Sequence, residues 1–386
     1  MSEQFRHGIL PNQTHDELAR ETFVQALKGH VSSELTPGVR ELYEKRVSPK
    51  YQHETGSPPR SREEIKKAMS GEPYYQLWSS VRRASQELLW NSVSDSIQSQ
   101  LSDLKVQARK LSKGGDRLVL DPNFEMPWYF WGIDIHAMPG GYRGEYTSDD
   151  ITAGALYDRG VYVYATGQMG DLNDDYGQSI VSNYLKVKHG DFKPQRILEM
   201  GCGVGNSLVP YAAAYPNAEV HGIDVGPALL RYGHARAESL GEKIHFSQQN
   251  AEYTSFPDGH FDLVVSHILL HELPPDSVRN VLHETHRLLK PGGLMIHADF
   301  PGYEALDPIT QFMIDWDTWG NNEPFWGPFR DMDVLAAAKD AGFSDQCSED
   351  SCSSSCSEHV AVPTGRLLQS GQRTKSGQLS LLVGRK

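Results

Sequence analysis

Apolar positions change their spacing twice along the chain, and each change marks a different kind of structure. Up to about residue 110 they recur at helical intervals. Thr14-His-Asp-Glu17 is a capping-box signature ahead of Leu18, Phe23, Ala26 and Leu27. Pro37-Gly38, Pro49 and Pro58-Pro59 predict breaks. Ser61-Arg-Glu-Glu64 forms a second capping box, and Pro73 suits the first turn of a long helix. Leu77, Val81, Ala84 and Leu88, continued by Val93, Ile97, Leu101 and Leu104, predict a packed stripe within the chain or across a homodimer. Lys113-Gly-Gly-Asp116 ends this region. Residues 1–118 therefore read as a helical unit supplying lid and dimer contacts.

Residues 119–185 are aromatic-rich and irregular. Trp128-Tyr-Phe-Trp131, Tyr142, Tyr146, Tyr157, Tyr162 and Tyr164 are interleaved with Pro139-Gly140-Gly141 and charged residues. The pattern predicts a connector or lid contributing to a substrate pocket. From 186 to 386 short apolar runs alternate with helical patterns, which argues for βαβ units. The expected fold is α/β, a doubly wound, mostly parallel, seven-stranded sheet with a mainly helical N-terminal extension. A Ser/Cys-rich loop is expected at 344–378 and a final strand at Leu379-Ser-Leu-Leu-Val-Gly384.

The chemistry concentrates where the strands end. Arg196-Ile-Leu-Glu-Met-Gly-Cys-Gly-Val-Gly-Asn206 reads as a buried strand running into a glycine turn. Gly201, Gly203 and Gly205 let backbone approach a ligand closely. Their spacing is Gly-x-Gly-x-Gly, which disfavours the dinucleotide fingerprint, and no Gly-Lys-Ser/Thr follows for a phosphate loop. Glu219-Val-His-Gly-Ile-Asp224 ends a second strand in an acid placed to hold ribose hydroxyls. Phe246-Ser-Gln-Gln-Asn-Ala-Glu252 places Asn250 to meet an adenine amino group, with Ala251 alongside. Two further strands follow: Phe261-Asp-Leu-Val-Val-Ser-His267, and Leu294 to Asp299 after Pro291-Gly-Gly293. Ligands in such sheets bind outside the carboxyl ends of the strands. Glu199, Asp224, Asn250, Ser266, His267, His297 and Asp299 all fall there.

Glu-Met-Gly-Cys-Gly-Val-Gly, Gly-Ile-Asp, Asn-Ala-Glu, Phe-Asp-Leu-Val-Val-Ser and Leu-Lys-Pro-Gly-Gly occur in that order. The run resembles the class I S-adenosylmethionine-dependent methyltransferases, with their Rossmann-like core. The resemblance covers roughly residues 180–345 and the last strand, about half the chain. It implies S-adenosylmethionine as cofactor, with Glu199 at the methionine amino group, Asp224 at the ribose, and Asn250 and Ala251 at the adenine. The cofactor set so implied is Glu199, Gly201, Cys202, Gly203, Gly205, Asp224, Val225, Asn250, Ala251 and Ser266. Many relatives carry Asp where this chain has Asn250. His267 lies where such enzymes place acceptor-side residues and is the candidate base. His271, read as structural, belongs to the same side. Phe312, Trp316, Trp319, Phe325, Trp326 and Phe329 follow the fifth strand among turn residues and predict an aromatic pocket. The substrate set is Trp128, Tyr142, His271, Asp299, Trp316, Trp319 and Trp326. A planar, apolar or cationic small-molecule acceptor fits such a wall.

Charge and composition narrow the alternatives. With 50 acidic against 37 basic residues the net charge is −13, which disfavours nucleic acid as partner. No apolar run reaches membrane-spanning length, and the N-terminus lacks a signal-peptide layout. Four cysteines suit a reducing cytoplasm. His136, His267, His271, His297 and Asp299 are potential metal donors, but without recurrent ligand spacing no metal is expected. The loop at Asp171-Leu-Asn-Asp-Asp-Tyr-Gly177 lacks the glycine and bidentate glutamate of a calcium site. Cys347, Cys352, Cys356 and His359 read as part of the Ser-rich loop. Methylation of a protein or RNA, and cofactor binding without transfer, remain the competing functions.

Overall fold

The structure is a computed structural model that describes residues 4–112, 116–304, 306–343, 356–363 and 378–386. One sheet organises the molecule. Its strands are β1 (Leu118–Val119), β2 (Arg196–Met200), β3 (Glu219–Asp224), β4 (Ile244–Gln248), β5 (Phe261–His267), β6 (Leu289–Asp299), β7 (Cys356–Pro363) and β8 (Gln378–Arg385). They lie in the order β1-β4-β3-β2-β5-β6-β8-β7. The pairs from β1 to β6 are parallel, and β8 runs antiparallel between β6 and β7. The doubly wound sheet is the expected one, with the two-residue β1 as an eighth, edge strand. Chain order reverses at β2, between β3 and β5, so the crevice for a ligand opens at Met200, Asp224 and His267.

Both faces of the sheet are covered. Ile197, Leu263, Val265 and Ile296 pack on one side with helix Leu208–Ala214 and the segment Ile180–Leu185. Leu198, Met200, Val264 and Met295 pack on the other with helices Pro275–Leu288 and Val334–Asp340. This two-sided burial explains why β2 and β5 read as unbroken apolar runs instead of alternating ones. Within the loop expected at 344–378, residues 356–363 form β7. Cys347 and Cys352 lie outside the described residues.

The N-terminal helices depart from expectation in three ways. Helix His15–His30 runs on through a π-helical turn at Val31–Leu35, helix Thr36–Leu42, a second π turn at Tyr43–Val47 and helix Ser48–Thr55. The breaks predicted at Pro37 and Pro49 do not occur. Each proline sits in the first turn after a π segment, where the widened register already leaves an amide without its helical partner. Second, the first helix turns Glu17, Glu21 and Val24 inward and leaves Leu18 and Phe23 exposed. The cause is Arg159, whose buried guanidinium pairs with Glu21. Third, helix Pro73–Leu111 buries Tyr75, Trp78, Ser85 and Leu89 in place of Leu77 and Leu88, though Val93, Ile97 and Leu104 are buried as read.

Residues 152–164, expected to be irregular, form a buried helix, Thr152–Tyr164. Its glycines serve close contact. A Cβ on Gly160 would stand 2.3 Å from Trp90, and one on Gly154 2.3 Å from Tyr232. Among the described residues no helix is long and apolar enough to cross a membrane.

Candidate active site

The glycine turn after β2 has the strained geometry that its sequence implies. Gly201 and Gly205 have φ of 67° and 69°, the left-handed region that glycine tolerates. A Cβ at Gly201 would meet Leu269 at 2.6 Å, and one at Gly205 would meet Phe246 at 2.8 Å. Asp224 at the end of β3 fixes the turn: its carboxylate accepts from the Gly203 amide (2.8 Å) and the Gly226 amide (2.9 Å). Burial raises the Asp224 pKa, while those amide hydrogen bonds pull it back.

A cavity of about 80 Å³ lies beside this turn. Asp224, Val225, Asn250 and Ala251 line it, with Gly201 and Gly203 as its floor. Tyr129, Phe130 and Tyr157 add aromatic walls that the sequence did not single out for the cofactor. Asn250 uses its carbonyl oxygen to cap its own turn, accepting from the Glu252 amide at 2.9 Å. Gly205 and Ser266 are not on the lining. Ser266 is buried behind it with its hydroxyl 2.7 Å from His297 Nδ1.

A second cavity, of about 190 Å³, adjoins the first and shares Tyr142, Tyr157, Gly201, His267, Ile268 and Glu272 with it. Glu199 and Cys202 form its inner wall, and Trp90, Tyr164, Tyr176, Phe300 and Trp326 its apolar surface. Glu199 is 1% exposed. One carboxylate oxygen lies 2.6 Å from His267 Nδ1, and the other, Oε2, has no partner. Burial pushes the Glu199 pKa up, and His267 opposes that. A buried carboxylate with an open oxygen lacks a cationic donor. The ammonium of a methionine moiety is such a donor, so the residues present fit the implied cofactor.

His267 does not point a free nitrogen at the acceptor space. Its Nδ1 faces Glu199 and its Nε2 lies 3.1 Å from the Tyr211 hydroxyl. In the tautomer with hydrogen on Nδ1, the ring donates to Glu199 and accepts from Tyr211. Neither nitrogen is then left to take a proton from an acceptor. Ile268 follows with φ of 50°, an unusual conformation for a β-branched residue. Its amide donates to the Ala298 carbonyl at 2.8 Å, which holds it there.

The far wall of the larger cavity is strongly polar. His136 Nε2 is 2.9 Å from Glu272 and its Nδ1 3.1 Å from Glu323. His271 Nδ1 is 2.7 Å from Asp299, and the Tyr142 hydroxyl donates to Glu272 at 3.0 Å. Burial alone would lower the pKa of both histidines. The carboxylates outweigh it, lifting His136 well above its usual value and His271 to about 9. Asp317, also on the lining, is raised to about 6 by burial against the opposing pull of Arg82.

Of the substrate residues expected from sequence, Tyr142, His271 and Trp326 line the cavity. Asp299 stands behind it, accepting from the Leu270 amide at 2.9 Å as well as facing His271. The other three lie elsewhere. Trp128 is 73% exposed. Trp316 is buried against Trp78 and donates to Ser79. Trp319 packs at a tilt against Trp316 and is exposed. Helix Pro308–Gly320 packs these tryptophans on the N-terminal helices, which sequence spacing around them could not reveal. Missed were Glu272 and Glu323, while the sequence marked His136 only as a possible metal donor and Tyr157 only among the aromatics of the connector. The adjacent His271-Glu272 pair just past β5 was the available signal for Glu272.

Comparison with known proteins gives a consistent picture. The profile of a family described as "Methyltransferase domain" matches residues 197–293. Over 108 residues the chain is 32% identical to a demethylmenaquinone methyltransferase of Thermus thermophilus, covering 28% of this chain and 48% of that protein. Over 124 residues it is 35% identical to a probable chloroplastic tocopherol O-methyltransferase of Oryza sativa, covering 30% of this chain and 33% of that one. The chain spans about half the length of the first curated relatives it matches. A solved S-adenosylmethionine-dependent methyltransferase of Methanosarcina mazei aligns with a TM-score of 0.36 at 20% identity, over 50% of this chain and 93% of that one.

Proposed function

Because the chain carries a class I S-adenosylmethionine-dependent methyltransferase domain, we propose that it transfers a methyl group from S-adenosylmethionine to a small-molecule acceptor held in the larger cavity. The observation that carries this reading is the unpartnered Oε2 of Glu199 in the wall of the larger cavity, whose lining shares Gly201 and His267 with the smaller one. An ammonium seated there directs the adenosine along Asp224 and Asn250. The bound cofactor would supply the activated methyl group, and Tyr142, Tyr157 and Trp326 would bound the space for its acceptor.

Methyl transfer is an in-line displacement, so alignment of donor and acceptor supplies most of the acceleration. The role we assign to His267 is to hold Glu199 in place through Nδ1, braced by Tyr211. The aromatic wall suits a planar or apolar acceptor, and the carboxylates at its far end suit polar or cationic substituents on it. Demethylmenaquinone and tocopherol, which appear in the names of relatives, are small molecules of the first kind. A relative in Drosophila melanogaster is named for tRNA methylation. The net charge of −13 argues against a polyanionic acceptor here.

Incubation of the protein with methyl-labelled S-adenosylmethionine and fractionated cell extract tests the proposal. Label is expected in the small-molecule fraction. Label in RNA or protein, or cofactor binding with no transfer to any fraction, would contradict it.

A further inference from the structure

We infer that His136, His271 and Glu272 form a binding site for one divalent transition-metal ion of the zinc type, set in the wall of the acceptor cavity. The donor atoms of these three side chains all lie within 4.8 Å of one another. Among the described residues they are the one set of three such side chains that converges in this way. His136 Nε2 stands 2.9 Å from Glu272 Oε1, and His271 Nε2 stands 3.7 Å from the same oxygen. Ligand atoms held at about 2.1 Å from a zinc ion sit roughly 3 to 3.5 Å apart, so small side-chain rotations close the triangle.

The surroundings are arranged as metal-ligating histidines require. His271 has its remote nitrogen on a carboxylate, Nδ1 to Asp299 at 2.7 Å, and His136 Nδ1 lies 3.1 Å from Glu323 and also 3.1 Å from the side-chain amide of Asn321. Such partners fix the ring and leave Nε2 to point at the ion. The acids come from separate places in the fold, the end of β6 and the turn after helix Pro308–Gly320. Glu272 Oε2 and Glu323 Oε2 are buried without a hydrogen-bond partner. Glu272 and Glu323 are 5% and 3% exposed, and Glu323 Oε2 is 3.9 Å from His271 Nε2.

The backbone also bears the arrangement. His136 and Ala137 have φ of 55° and 56°, in the left-handed region that such residues seldom occupy. The His136 carbonyl is pinned there by Trp90 (2.7 Å) and Gln86 (2.9 Å). Two imidazoles and one carboxylate suit zinc, iron(II), cobalt or manganese better than calcium or magnesium. All three ligands line the cavity, so the remaining coordination positions face the acceptor space. Water or a donor atom of the acceptor completes the shell there. The ligands come from residues 135 positions apart, so no short spacing betrays them.

The role toward the acceptor rests on the proposed function, but the ion-binding test does not. The chelator-treated full-length protein is titrated with zinc(II) and with cobalt(II), without S-adenosylmethionine, by calorimetry and visible absorption. One ion per chain is expected, with affinity falling at least 100-fold in His136→Ala and His271→Ala and about 10- to 100-fold in Glu323→Gln. The X-ray absorption fine structure of the zinc-loaded wild type should show two imidazole ligands, which holds the inference to account if a variant fails to fold. Absence of stoichiometric binding, binding unchanged in folded variants, or a shell without imidazole would overturn it. Cofactor titrations run separately distinguish loss of this site from failure of the methyltransferase reading.

Discussion

Glu199 is a carboxylate almost sealed from water with half of its hydrogen-bonding capacity unused. A charge-assisted hydrogen bond contributes about 1.5 to 3 kcal/mol. Replacing Glu199 by Gln should therefore weaken S-adenosylmethionine binding by about 10- to 100-fold while leaving the circular dichroism spectrum unchanged. His267→Gln should lower cofactor affinity and turnover together, because the ring acts through Glu199. Turnover lost with affinity intact would instead make His267 a base. His297 gives a second test at this scale. Burial lowers its pKa to about 4, between the hydroxyls of Ser266 and Thr285. The unfolded histidine titrates near ~6.5, so its neutral buried form favours folding fully above that pH. As pH falls from 6.5 to 4, only the unfolded state takes up the proton and stability declines, on the order of 2 to 3 kcal/mol by pH 4. Urea unfolding at pH 7 and pH 5 should show the decline, and His297→Asn should reduce it.

Among the elements, helix Thr152–Tyr164 joins the N-terminal helices to the sheet through close backbone approach. Gly160→Ala places a methyl group where Trp90 stands, and such overpacking costs about 1 to 3 kcal/mol. Urea denaturation should show that loss, whereas Gly56→Ala, a change with no nearby atoms, tests only the left-handed strain at a helix end. The strands were legible because sheets buried on both faces write continuous apolar runs, as Ile197–Leu198 and Val264–Val265 do. The turn after β2 was legible because it needs residues that accept positive φ. The N-terminal helices were less so. Their inward faces carry the polar Glu21, Ser85 and Gln86, of which Glu21 pairs with Arg159 and Gln86 with the His136 carbonyl far along the chain, so an apolar stripe points the wrong way. The cavity wall was hidden for the same reason: His136, Glu272 and Glu323 meet only once the chain has folded, while Trp316 was drawn elsewhere by Trp78, and Trp319 lies against Trp316 and Lys66.

Over the whole molecule, the N-terminal segment is tied into the core by a buried polar network. Asp158 sits between His7, Tyr232 and Arg236, with Gln4 and Asn173 on its other oxygen and carbonyl. Burial would raise the Asp158 pKa, but Arg236 and His7 hold it well below the usual carboxylate range. Its contribution is complete above the unfolded pKa of about 3.9 and is lost as pH falls below that. Asp158→Asn leaves a buried guanidinium without its counter-charge and should cost about 3 to 5 kcal/mol, read as a fall in Tm at neutral pH. This network and the helix Thr152–Tyr164 hold the cavity roof over the carboxyl ends of the strands, where donor and acceptor have to meet. Calorimetric titration of the full chain with S-adenosylmethionine tests the account at its centre. It predicts one cofactor bound per chain in the wild type and an affinity at least tenfold weaker in Glu199→Gln. No binding by the folded wild type, or equal affinity in the two proteins, would contradict it.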